Sequence, residues 1–537
     1  MKEIMLLDCT LRDGGRIIDC AFREEQIAGI LKRLMQAKVE VIELGFLRNG
    51  DYKGNSTFFT QMEQVEPFLP QNSKQEFTVF VDYGLYDIEK LTPCNPDYRI
   101  GIRYGFTRKQ FQEKPDILKA EMLQIKEKGY RLYFQGVNTI GYSDKELLDL
   151  ITMINEVVPY SFGIVDTYGA MFPEDLSRIF SLVDFNLNST IAIDFHSHNN
   201  MQMAFALAQE MIKLCKGRRE LLIDATLDGM GKCAGNLNTE LIAHYLNQKQ
   251  MKNYDFDYLL DAIDEYIYSF KQIDPWGYSI PAFMAGIYKA HPNNVIYLTD
   301  KFRLATKDIR KILSMIEEDK RQRYDYDNIQ EIYKSYFASP VEDDNVISTL
   351  QQSFSGKTIL VIAPGRSVLT YNERIRKYIT EEKPVVISVN FIFDGSSCVF
   401  YGNDRRYQML DNIDPERLTI LTSNVTKRTG NELVCDYMKC IAHCGNYFDN
   451  STLMLLNLLA RVRAKKIRIA GMDGFTDTSP NYFFDNSDIE VKCADQFEVI
   501  NREMESHLRR YAETNQDIDL SLITPSRFQN VLKLIEM

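Results

Sequence analysis

The feature that most restricts how this 537-residue chain can fold is a series of eight short apolar runs separated by stretches with helical spacing. The runs are IMLL from Ile4, VEVIEL from Val39, FTVFV from Phe77, YRIGI from Tyr98, RLYF from Arg131, FGIV from Phe162, IAIDF from Ile191 and LLIDA from Leu221. They are continuous rather than alternating, which predicts strands buried on both faces. REEQIAGILKRLMQA follows the first run, DILKAEMLQIKEKG the fourth and DKELLDLITMINEV the fifth, each with helical periodicity. Strands that alternate with helices build parallel βα units, and eight units close into a barrel of about 250 residues. Residues 1–290 are therefore predicted to form a (β/α)8 TIM barrel.

Beyond residue 255 the pattern turns helical and more charged. Residues 291–345 are read as a helical cap and linker, with SPVEDDN at 339–345 as the connector. A second alternation then begins with KTILVIAPGRS, PVVISVN, SCVFYGN, LTILTSN and KKIRIAGMD. It predicts a Rossmann-like α/β domain over 346–537, so the fold class is α/β throughout.

Composition narrows the function classes. With 45% hydrophobic residues the chain can fill large cores and is unlike a disordered segment. A net charge of −12 and a pI near 5.3 argue against a nucleic-acid partner. No run of about 18 apolar residues is present, which predicts no membrane partner. The N-terminal MKEIMLLDCTLRDGG has no basic segment ahead of a long apolar one, so no export signal is expected. The 10 scattered cysteines then read as reduced thiols in a cytoplasmic protein.

A TIM barrel builds its active site at the C-terminal ends of the strands. Five predicted strand ends carry polar clusters: Asp8–Gly15, Glu43–Phe46, Asp166–Gly169, His196–Asn200 and Gly229–Asn236. His196 and His198, two of only 6 histidines, sit at i and i+2 on a strand end and so point the same way. An imidazole pair with one carboxylate leaves open positions on a metal, as a catalytic site requires. A His-x-His pair alone is more often a satisfied loop; Asp13 on another strand end tips the balance towards a metal site. Arg12 beside Asp13 could hold negative charge on an oxyanion, although the same dipeptide suits an ordinary salt bridge.

The motifs DCTLRDGG at 8–15, HSHNN at 196–200 and GMGKCAGN at 229–236 together resemble those of the DRE-TIM metallolyases over about residues 1–300. That group includes 4-hydroxy-2-oxovalerate aldolase, hydroxymethylglutaryl-CoA lyase and isopropylmalate synthase. The resemblance implies that Asp13, His196 and His198 bind a divalent metal, with Asn236 as a further ligand. Mn²⁺ is the expected ion, with Mg²⁺ or Zn²⁺ as alternatives. It implies further that Arg12 stabilises an enolate, that Glu43 is the acid of the second strand, and that Asp8 orients Arg12 or the first loop. One position departs from the pattern: Arg16 stands where the aldolases carry a histidine base. Tyr168, Cys233, Glu43 and His291 are the replacements considered, with a small buried thiol as the plainer reading of Cys233. An arginine at 16 suggests an anionic substrate such as a 2-keto acid or a carboxylated sugar.

In the second half, KTILVIAPGRSV at 357–368 reads as strand, glycine turn and helix start, a geometry able to hold phosphate. It lacks G-x-G-x-x-G and so carries no dinucleotide fingerprint. With IRIAGMDGF at 467–475 it resembles the nucleotide-sugar fold of bacterial sialyltransferases, which implies a nucleotide or nucleotide-sugar partner; APGRS replaces their Gly-x-Gly-Pro-Ser. Cys435, Cys440, His443 and Cys444 invite a zinc reading, but they lack a C-x-x-C pair and the run is read as a half-buried helix.

The function expected is a metal-dependent carbon–carbon lyase or aldolase. It would act through a pyruvate-like enolate on a small keto acid or aldehyde, in surface-polysaccharide or sugar-acid metabolism. The alternatives are a Claisen-type acyltransferase using acetyl-CoA, and a non-catalytic metal-binding barrel that scaffolds the second domain. A homo-oligomer is compatible with all three.

Overall fold

A computed structural model describes residues 2–52, 54–71, 73–299, 304, 306–338, 340–402, 406–407, 417–425, 428–442, 445, 447–476, 481–482 and 494–535. The chain divides into two units. One comprises Met1–Ile296 with Glu317–Tyr324, the other Tyr297–Ile316 with Asp325–Met537.

The first unit is a closed parallel barrel. Its strands are β1 (Ile4–Asp8), β2 (Val41–Leu47), a two-residue β3 (Phe58–Phe59), β4 (Glu76–Asp82), β5 (Ile100–Thr107), β6 (Arg131–Val137), β7 (Ser161–Asp166), β8 (Ala192–Ser197) and β9 (Leu221–Ala225). The order is β1-β9-β8-β7-β6-β5-β4-β2-β3, and β1 also pairs with β2, which closes the ring. Registers such as Leu7↔Val41 and Leu6↔Ile223 tie β1 to both neighbours. All eight predicted runs are barrel strands; β3 hangs on the end of β2 through Phe46↔Phe58. The helix Glu24–Gln36 shows why the ring holds: Ile27, Ile30, Leu31 and Leu34 form one buried stripe facing the sheet.

Side chains that point inward recur at every second position, and they come in layers. Leu7, Val41, Tyr133, Ala192 and Leu222 form one buried apolar cluster. Two residues further along the strands stand Glu43, Gln135, Asp194 and Asp224, all buried. Two further along β8 stands His196, then His198. A barrel floor, a charged layer and a rim of imidazoles thus follow from one alternation.

The second unit holds a parallel sheet of β10 (Thr358–Ile362), β11 (Val385–Val389), β12 (Cys398–Tyr401), β13 (Leu418–Thr422), β14 (Leu433–Cys435), β15 (Lys466–Ala470) and β16 (Asp519–Leu522). Their order is β14-β13-β12-β11-β10-β15-β16. The five runs expected here are five of these strands. The run read as a half-buried helix is instead β14, which carries Cys435 and pairs with β13 through Thr422↔Cys435. Cys440 follows in a turn. His443 and Cys444 lie outside the described residues. The stretch read as a connector is tied into this unit. Buried Asp343 accepts from the Asp436 backbone N–H at 2.9 Å and pairs with Lys439 and Arg461. Among the described residues no helix is long and apolar enough to cross a membrane.

Candidate metal and enolate site

The site sits at the C-terminal ends of β1, β2, β8 and β9. After β1 the backbone N–H groups of Arg12, Asp13 and Gly14 converge on the Cys9 carbonyl at 3.1, 2.9 and 3.2 Å. This tight turn sets Arg12 and Asp13 side by side. Asp8 accepts from the Thr10 N–H at 3.0 Å and from the Thr239 hydroxyl at 2.6 Å, so it fastens the first loop. Burial pushes the Asp8 carboxyl up to about 6.

Asp13 Oδ2 lies 3.8 Å from His196 Nε2 and 3.6 Å from His198 Nε2, and the two Nε2 atoms are 3.3 Å apart. One carboxylate oxygen and two imidazole nitrogens thus converge on one point, a group able to hold a metal ion. The rim loops after β8 and β9 zip together through Asn199 N–H to Gly235 O at 2.8 Å and an antiparallel bridge between His198 and Asn236. Gly235 makes that approach possible: its φ is +75°, and a Cβ there would lie 2.0 Å from the Gly229 carbonyl oxygen. Asn236 donates through Nδ2 to Met230 O at 2.9 Å, while its Oδ1 is buried with no donor. An orphaned buried carbonyl beside the histidines is what a further metal ligand would leave behind.

His196 Nδ1 lies 3.0 Å from Asp224 Oδ2. The proton is assigned to Nδ1, which leaves the Nε2 lone pair facing Asp13. Burial lowers both imidazoles to about 4, so both are neutral at ordinary pH, the form in which an imidazole can hold a metal.

Beneath them lies a closed charge network. Arg12 donates from Nε to Glu43 at 2.6 Å and from NH1 to Asp13 Oδ1 at 2.5 Å. Arg103, fully buried, donates from NH1 to Glu43 at 3.0 Å and from NH2 to Asp194 at 2.9 Å and to Asp224. Sequence reasoning missed Arg103, Asp194 and Asp224. The available signal was a charge inside each of three otherwise apolar strands, in IGIRY, IAIDF and LLIDA. Asp13, Glu43, Asp194 and Asp224 face Arg12 and Arg103, with Arg16 Nε 3.3 Å from Asp13 Oδ1, so beside neutral imidazoles four acids meet three guanidiniums. Burial, and then the charge of Asp224, push Asp194 up to about 7. A divalent cation fits the donor set, and its charge would offset the excess of acids.

Arg12 and Glu43 therefore join the proposed ligands. The other expected groups do not touch them among the described contacts. Tyr168 donates its hydroxyl to Gln322 O at 2.9 Å, and burial raises its pKa. Cys233 lies in the rim loop with φ +58°, its thiol pushed up to about 11 by burial. His291 Nδ1 accepts from the Asn293 N–H at 3.2 Å, and burial lowers it to about 4. In the second unit the glycine turn already carries an acid. Asp473 takes the Ser367 N–H at 2.7 Å and the Ser367 hydroxyl, where an incoming phosphate would need those donors.

Residues 3–265 match the HMGL-like family. A 4-hydroxy-2-oxovalerate aldolase of Pelotomaculum thermopropionicum is 27% identical over 325 residues, covering 58% of this chain and 90% of that protein. A 2-isopropylmalate synthase of Sulfolobus acidocaldarius is 23% identical over 273 residues, covering 50% of this chain and 68% of that protein. Among solved structures, an HMG-CoA lyase from Brucella melitensis overlaps with a TM-score of 0.41 at 13% identity, over 51% of this chain and 100% of that one.

Proposed function

We propose that this HMGL-like barrel is a divalent-metal-dependent carbon–carbon lyase or aldolase that works through a pyruvate-like enolate. The observation that carries the reading is the division of one carboxylate. Asp13 turns Oδ2 towards His196 and His198 and Oδ1 towards Arg12, so a fixed guanidinium stands beside the metal-ligating group. Two imidazole nitrogens with oxygen ligands from Asp13 and Asn236 favour Mn²⁺, with Zn²⁺ or Mg²⁺ as the other fits. A divalent ion bound there polarises a carbonyl oxygen and lowers the cost of forming an enolate.

The chain's own residues do the rest. Glu43 and Asp13 hold two of the Arg12 nitrogens, which aims the guanidinium and leaves NH2 without a partner among the described residues. That N–H is available to an oxygen that gains negative charge as the bond beside the carbonyl breaks or forms. The rings of Phe46 and Phe80 lie 5.9 and 4.7 Å from the Arg12 guanidinium and keep water from its faces. Glu43 acts as a positioning residue, clamped between Arg12 and Arg103.

The test is exchange of the pyruvate C3 protons with D₂O, followed by NMR. Exchange is expected with Mn²⁺, lost with chelator and restored by metal. The likeness to an isopropylmalate synthase supports a second reading, in which the enolate is that of acetyl-CoA. Exchange at the acetyl methyl of acetyl-CoA, with none at pyruvate or any small keto acid, would select it.

A further inference from the structure

We propose that Arg16 and Arg48 form a recognition site for a second anionic group of the substrate, a carboxylate or phosphate at the end remote from the bond that reacts. The proposal rests on the enolate reading only for what occupies the near end of the site.

The placement comes first. Arg16 lies in the loop after β1, Arg48 directly follows β2, and Asp82 ends β4. Around the ring β4 is next to β2 and β2 next to β1, whereas the metal-ligating group lies at the ends of β1 and β8. The arginine pair is therefore at the same rim, in the neighbouring sector. A substrate anchored at Asp13 and the histidines and running along the rim reaches it with its far end.

The charges are unbalanced in the direction an anion needs. Arg16 NH2 and Arg48 NH2 both address one oxygen, Asp82 Oδ2, at 3.7 and 3.3 Å. Arg16 Nε also lies 3.3 Å from Asp13 Oδ1, but Arg12 already holds that oxygen at 2.5 Å. Two guanidiniums thus have one carboxylate of their own. Arg48 Nε is buried and has no acceptor.

The pair is also held ready and within reach. Both guanidinium carbons lie against the Phe46 ring, at 4.5 and 4.6 Å from its centroid, and Arg48 lies 4.4 Å from that of Phe58. Aromatic faces fix the planes of the two forks without consuming their N–H groups. The Arg16 and Arg48 side chains are 35% and 28% exposed, so a ligand at the rim can touch them. Two planar forks suit carboxylate or phosphate oxygens, and both already turn an NH2 towards the single oxygen Asp82 Oδ2. The substrate class that follows is a 2-oxo acid with a second negative terminus, rather than a short acid ending in methyl.

Titration calorimetry on the Mn²⁺-loaded full chain tests this with length-matched ligands. The pairs are 2-oxoglutarate against 2-oxopentanoate and 2-oxoadipate against 2-oxohexanoate, with 2-oxo-4-phosphonobutanoate for the phosphate arm. At one of these lengths the dianion is expected to bind at least about tenfold tighter than its methyl-ended partner, and the better dianion identifies the terminus. Arg48→Gln should bring that ratio close to one. Arg48→Lys, which keeps the charge and loses the fork, should fall between. The proposal is overturned if wild type binds both members of every pair equally. It is also overturned if Arg48→Gln weakens both members alike, since the pair then serves the keto-acid carboxylate itself. Loss of binding to all five ligands, with pyruvate exchange intact, defeats this inference alone. Loss of both binding and exchange defeats the enolate reading as well.

Discussion

His196 meets Asp224 through Nδ1 at 3.0 Å, and that one bond decides which imidazole nitrogen is turned towards Asp13. Partners of this kind fix the tautomer and basicity of a ligating histidine, and their loss typically costs about 10–100-fold in metal affinity. Asp224→Asn is expected to weaken Mn²⁺ binding by that order, measured by competition with a chelating dye. Unchanged affinity would remove Asp224 from the ligand-orienting role.

His196→Ala and His198→Ala should each leave a folded barrel with little bound divalent metal, because the ligands stand on the rim above the apolar floor. Asn236→Ala should weaken binding less, since it removes one neutral oxygen. Elemental analysis of purified variants beside circular dichroism checks all three. Mutants as metal-loaded as wild type would show the assignment to be wrong.

Arg12→Lys should retain metal yet lose about 10²–10³ in the C3 exchange of pyruvate, roughly 3–4 kcal/mol of stabilisation. Lysine cannot hold Glu43 and Asp13 and still present a third donor, as the guanidinium fork does. Equal exchange in wild type and variant would exclude Arg12 as the group that meets the enolate oxygen.

Arg103→Met tests the charged layer. It strands Glu43, Asp194 and Asp224 in the barrel interior, and removing one partner of a buried ion network typically costs about 3–5 kcal/mol. The sign of the pH effect follows from Asp194, whose carboxyl burial raises to about 7. Between roughly pH 4 and 7 the folded state keeps a proton that the unfolded chain releases, so stability falls as pH rises. Without Arg103 that shift grows. Urea midpoints in the presence of chelator should therefore show a larger deficit at pH 7.5 than at pH 5. An equal deficit at both would mean that loss of Arg103 does not change the proton uptake of these acids between the two pH values.

Cys233 should behave as a poor nucleophile. Its thiol is pushed up to about 11 by burial, so the thiolate is a trace species at neutral pH. Peptide mapping after iodoacetamide should find slow labelling at pH 7.5 that quickens about tenfold per pH unit up to pH 9.5. Fast, pH-independent labelling would restore the case for a catalytic thiol.

The barrel was legible because strands buried on both faces must be largely apolar, and runs such as IMLL or FGIV can be little else. The proposed ligands were legible because His196 and His198 continue the inward alternation of β8 up to and just past its end at Ser197. Arg103 was hidden for the opposite reason. Arg103, the second arginine of YRIGIR, reads as a strand edge until the ring closes and brings Glu43, Asp194 and Asp224 around it. Tyr168 spends its hydroxyl on a carbonyl 154 positions away, which no local pattern reports. Cys435 was misread because a three-residue strand is too short to show a period.

The layering of the barrel interior also bears on how such a protein changes over generations. Floor, charged layer and ligating rim each depend on the layer beneath, so an alteration low in the stack disturbs everything above it. Arg48 stands past the last layer, directly after β2, and meets Asp82 and the Phe46 and Phe58 rings rather than the buried acids. If Arg48 reads the far end of the substrate as proposed, its exchange would change what is bound and leave the layers beneath in place.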